Sequence, residues 1–161
     1  MNLEKLFKLQ KELDSRIIDQ HHLQDRTLIS EKILALQVEI AELANETRCF
    51  KYWSNKKPAS RDVILEEYVD WLHFILSIGL EFKFDDITLK YNASDSKATD
   101  QFVNIYIDIT DFIVSSSKDH YITLFEDFMA LGVTLNFTED EIEDFYYKKN
   151  NINHERQASG Y

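Results

Sequence analysis

Two acidic couplets, Glu39-x-x-Glu42 and Glu67-x-x-Asp70, lie in segments of strong helical period with 24 residues between them. A spacing of three puts both carboxylates of a couplet on one helical face. Two such helices packed antiparallel would gather four carboxylates at one spot, where they repel one another unless a cation neutralises them. Oxygen-only ligands select a hard divalent ion, Mg²⁺ first and Mn²⁺ second. Ions of that kind serve phosphate chemistry. The competing reading is a solvated acidic ladder with basic partners, such as Glu42 with Arg48.

Other chemistries find little support. There is no Gly-rich phosphate loop, no His/Cys metal spacing and no Ser-His-Asp signal. Cys49 is the single cysteine, so an internal disulfide is excluded and a reducing, cytoplasmic setting is expected. His73, next to Trp71 and Leu72, reads as a buried histidine before it reads as a catalyst. Trp53 and Phe74 read first as core. The net charge of −11 argues against a nucleic-acid partner bound through its phosphates. An anionic nucleotide would need bridging metal ions or a local basic patch. Lys51, Lys56 and Lys57 form one cluster; Lys148, Lys149 and Arg156 form another, which could equally balance the acidic stretch at 139–144.

The elements that must position these groups are helical. Three glycines and one proline in 161 residues are too few for a sheet protein with tight turns. Of the residues, 44% are hydrophobic, enough for one well-filled all-α domain over 1–161. No apolar run is long enough for a membrane span, and the N-terminus does not resemble a signal peptide. Helical period predicts helices at about 2–19, 28–47, 60–82, 97–115, 120–132 and 138–149. Thr27 or Ser30 is available to cap the second, and Thr138 the last. Residues 104–114 alternate and are β-branched, so a strand competes there. The aromatics Phe102, Tyr106, Phe112, Tyr121, Phe125 and Phe128 fit either a core or an oligomer surface. Residues 150–161 lack an apolar period but are dense in hydrogen-bonding side chains. Such a segment would ordinarily fray, or it could order over a ligand as a lid.

Taken together, these residues resemble the dimeric, all-α dUTPase family, part of the wider all-α nucleotide pyrophosphohydrolases. The resemblance rests on Leu9-Gln10-Lys11, Glu39-Ile40-Ala41-Glu42-Leu43, Lys51-Tyr52-Trp53 and Glu66-Glu67-Tyr68-Val69-Asp70-Trp71-Leu72-His73-Phe74. The tail Lys149-Asn150-x-x-Asn153-x-x-Arg156-Gln157-x-x-Gly160-Tyr161 completes it and is its most specific part. The resemblance implies Mg²⁺-dependent hydrolysis of dUTP, and of dUDP, to dUMP. It implies Glu39, Glu42, Glu67 and Asp70 as metal ligands, with Glu39 or Glu42 orienting or deprotonating the attacking water. Gln10 and Asn153 would read uracil, and His73 and Phe74 would contact the deoxyribose. Lys149, Arg156 and Tyr161 would hold the phosphates, with Lys51 and Trp53 as further substrate contacts. It also implies a homodimer. Chains of this kind are common in bacteria and their phages, and some phage members also bind a transcriptional repressor, for which residues 85–120 are the expected contact. A pyrophosphohydrolase of another nucleotide, or a helical module docking a basic partner, are the alternatives.

Overall fold

The computed structural model describes residues 1–160, which form six helices with no strand among them. They are α1 (Leu3–Gln20), α2 (Ile29–Thr47), α3 (Arg61–Phe82), α4 (Ala98–Val114), α5 (Lys118–Thr134) and α6 (Glu139–Ala158). None of them is long and apolar enough to cross a membrane. α3 is the central element, packing against α1, α2, α5 and α6. Its Trp71 ring stacks on Phe128 of α5 at 3.7 Å between centroids, and Tyr68 stacks on the same ring at 4.0 Å. Burying each of these large side chains contributes on the order of 2–3 kcal/mol.

Close approach of α3 to α5 depends on two glycines. A Cβ on Gly132 would fall against the Tyr68 hydroxyl, and one on Gly79 against that of Tyr121. Each tyrosine in turn donates to a backbone carbonyl, Tyr68 to Phe128 at 3.1 Å and Tyr121 to Ile75 at 2.9 Å. With these glycines inside helices, helix ends are closed by other residues. Arg48 and Lys83 take left-handed φ values of 57° and 59° at the C-caps of α2 and α3. That conformation costs a non-glycine residue about 1 kcal/mol. Arg48 offsets it by ordering the next loop, donating from Nε to the Lys56 carbonyl (3.0 Å) and from Nη2 to Ser54 Oγ (2.8 Å).

One expected cap is replaced, and two open alternatives are decided. Neither Thr27 nor Ser30 caps α2, whose N-cap is Leu28 with no side-chain bond. The 104–114 segment is helical, because its alternate residues Ile105, Ile109 and Phe112 sit at helical spacing in the core. Of the six aromatics, all but Tyr106 are buried in that core. α6 starts with the expected cap, a full capping box between Thr138 and Glu141. It then runs nine residues past the expected end at 149.

Candidate functional site

α2 and α3 are antiparallel. Lys32 meets Glu81, Glu39 neighbours Asp70, and the Glu46 carbonyl accepts the Ala59 N–H, so residue numbers rise along one helix as they fall along the other. This brings carboxylate oxygens of Glu39, Glu67 and Asp70 within 4.8 Å of one another. Glu42, the fourth predicted ligand, lies one turn further along α2, exposed and outside that group. Its charge still acts on both Glu39 and Glu67.

The crowding has an electrostatic signature. Burial, then the charges of Asp70, Glu42 and Glu67, push the Glu39 carboxyl up to about 7 from its ordinary 4.5. Glu67 and Asp70 are raised too, again by burial first. Lys149 opposes all three, and Arg156 adds to its effect on Asp70. Lys149 of α6 donates to Asp70 Oδ2 at 2.8 Å and to Glu66 Oε1 at 2.7 Å, with its side chain only 10% exposed. Burial disfavours the Lys149 charge, but its two carboxylate partners outweigh that and hold its pKa above the ordinary value.

Glu39 and Asp70 also border a cavity of about 590 Å³ enclosed by α1, the 21–28 connection, α2, α3 and α6. That volume is in the range of small-molecule sites. Gln10, His73, Phe74, Asn153 and Arg156, all predicted as substrate contacts, line it together with apolar Leu13, Ile17 and Leu28. Glu42 and Glu67 open on a second, shallower depression beside Tyr106. The carboxylates therefore stand between two concave surfaces. Lys51 and Trp53 line neither of them. Lys51 donates to Asn45, and Trp53 is exposed, edge-on to Phe50 and Tyr52. Tyr161 lies outside the described residues.

With the geometry in view, comparison with known proteins gives one decisive result. Residues 2–161 match the profile of a family described as dUTPase. The chain belongs to that family. It is accordingly a dUTP hydrolase, and its all-helical architecture agrees with the all-α branch that the sequence motifs resemble. No curated protein matches the chain.

Sequence reasoning missed a partly buried polar network within the cavity wall. Asp14 accepts from Gln10 Nε2 at 2.7 Å and from Ser77 Oγ at 2.6 Å, with Lys32 Nζ 3.6 Å away. Gln10 Oε1 meets both Tyr146 Oη and His73 Nδ1 at 2.8 Å. The spacing Gln10–Asp14 places both on one face of α1, and Ser77 follows His73 by one turn on α3. Those spacings were available signals, but they look like ordinary helix surface until the partner helices are placed.

Proposed function

We propose that the chain hydrolyses dUTP to dUMP and pyrophosphate, and dUDP to dUMP and phosphate, with Mg²⁺ held by Glu39, Glu67 and Asp70 and by Glu42 from the next turn. Mn²⁺ is the natural substitute. The observation that carries this reading is the meeting of three carboxylates at the edge of a nucleoside-sized cavity. The donor set fits such an ion: oxygens alone, half-buried, with a carboxyl near neutrality that a divalent charge would return to its ionised form. A bound ion would supply charge stabilisation to the phosphate oxygens.

The remaining work falls to the chain's own side chains. Glu39, on the cavity side of the cluster, is the group that orients water and accepts its proton. Asn153 offers one amide donor pair and one acceptor, a match for uracil's alternating O2, N3–H and O4 edge. The Gln10 oxygen already receives two donors, so this residue brings only its second Nε2 hydrogen to the base. Phe74 packs against the deoxyribose, with His73 beside it. Arg156 and Lys149 face the phosphates, Lys149 exchanging a carboxylate for a phosphate oxygen.

The active unit is a homodimer in this proposal. α4 carries exposed Val103, Ile107 and Val114 at spacings of four and seven, and α2 adds exposed Leu34 and Val38. An apolar stripe over two neighbouring helices is a surface a second copy would cover. Lys51 and Trp53, remote from the lining of their own cavity, would then reach a nucleotide from the other subunit. The test is pyrophosphate release from a panel of deoxynucleoside triphosphates with and without Mg²⁺. Turnover restricted to dUTP and dependent on the metal supports the proposal; preference for dCTP or dATP would sink it.

A further inference from the structure

The polar network in the cavity wall fixes more than packing. Asp14 faces three donors, the amide of Gln10, the hydroxyl of Ser77 and the ammonium of Lys32, which also pairs with Glu81 at 2.5 Å. A carboxylate in that setting only accepts, so the Gln10 amide must turn its nitrogen toward Asp14 and its oxygen away. That oxygen cannot donate. Both groups that meet it, Tyr146 Oη and His73 Nδ1, must therefore bring the proton. His73 lies flat on the Tyr146 ring, 4.2 Å between centroids and 21° between planes, which favours this ring plane.

Burial holds His73 neutral, its pKa lowered to about 3. A neutral imidazole with its proton on Nδ1 has a bare lone pair on Nε2. Among the described residues that Nε2 is buried and has no hydrogen-bond partner, although the ring lines the cavity. An acceptor left unmet in a buried site is costly, on the order of 1–3 kcal/mol, and a ligand group that satisfies it recovers that cost.

We infer that Asp14 is a positioning residue that acts through the Gln10 amide to lock His73 in the Nδ1–H tautomer, so that the cavity presents Nε2 as an acceptor for a nucleoside hydroxyl. The lock gives the cavity polarity. A phosphate or carbonyl oxygen is rejected at this nitrogen, and a donor is required, which the sugar 3′-hydroxyl provides. The identity of that donor rests on the nucleotide reading above; the tautomer does not.

The test uses the whole chain without nucleotide, labelled with ¹⁵N at histidine. Imidazole correlation spectra at neutral pH should show His73 as a single neutral form with the proton on Nδ1. In Asp14→Ala the amide is released, and the two tautomers of His73 should average. A wild-type His73 carrying its proton on Nε2, or an Asp14→Ala spectrum identical to wild type, overturns the inference. The wild-type spectrum decides even if the variant does not fold. The second arm compares dUTP with its 3′-deoxy analogue. Wild type should lose about tenfold in kcat/KM on the analogue, one hydrogen bond's worth. Asp14→Ala should lose about tenfold on dUTP and little on the analogue. Equal losses on both substrates would mean Asp14 is merely structural. A correct tautomer in a protein that hydrolyses no dUTP would refute the nucleotide reading and leave the lock standing.

Discussion

Replacing Glu39 with glutamine should make the metal-free protein more stable while removing its activity. The wild-type carboxyl titrates near 7 in the folded chain against an ordinary 4.5. Between these values the folded state binds more protons than the unfolded one, so ionising Glu39 costs stability as pH rises from 4.5 through 7. The full shift would correspond to about 3 kcal/mol. Glu39 is only half-buried, and water screening brings the realistic figure to about 1–2 kcal/mol. Glutamine keeps the shape and removes the charge. At pH 8 in EDTA, Glu39→Gln should therefore melt about 3–6 °C higher than wild type. At pH 4.5 the wild-type side chain is already protonated, and the two proteins should melt together. Added Mg²⁺ should narrow the gap at pH 8 by stabilising only the wild type. Thermal unfolding followed by circular dichroism at both pH values is sufficient. A variant less stable than wild type at pH 8, or a gain that is the same at pH 4.5, would refute the claim that burial and neighbouring carboxylates together disfavour the ionised Glu39.

Three further outcomes follow from the same geometry. Lys149→Met leaves Asp70 without its nearest cation and should cost about 2–4 kcal/mol in urea unfolding, with part of the loss recovered by Mg²⁺; an unchanged midpoint would contradict the pairing. Gly132→Ala should cost about 2–3 kcal/mol by overpacking against Tyr68. Adding Tyr68→Phe should recover only part, since Cζ remains 2.8 Å from the new methyl; simple additivity would show that the two do not touch. Ile107→Glu places a charge in the exposed α4 stripe and should yield monomers by analytical ultracentrifugation, whereas an unaltered dimer would move the interface elsewhere.

The antiparallel pairing of the acidic helices agrees with local signals: two couplets beside apolar stripes, in successive helices joined by the 48–60 connection. α3 was legible for the same reason, since Tyr68, Trp71, Leu72, Ile75 and Leu76 repeat at helical spacing and all are buried. The end of α6 was not. Its last nine residues carry no apolar stripe and dock on α1 through polar contacts instead, Gln20 Nε2 donating to the Gln157 carbonyl at 2.5 Å and His21 meeting the Gln157 side chain at 3.0 Å. Periodicity cannot register contacts of that kind. In the same way, Gln10 could be named as a candidate from the sequence, but not that its oxygen is taken up inside the protein by Tyr146 and His73. Spacing alone does not rank the couplet: Glu39 joins Glu67 and Asp70 in one tight group, whereas Glu42 faces Glu67 across the neighbouring depression.

In the proposed function, Glu39, Glu67 and Asp70 form a divalent-metal site beside a uracil nucleotide. The most direct measurement is a crystal structure of the chain with Mn²⁺ and an α,β-imido analogue of dUTP, with the metal located by its anomalous scattering. The expected result is metal coordinated by these three carboxylates, with the base in the cavity against Asn153. Metal bound elsewhere, or a nucleotide lying outside that cavity with the three carboxylates unengaged, would contradict it.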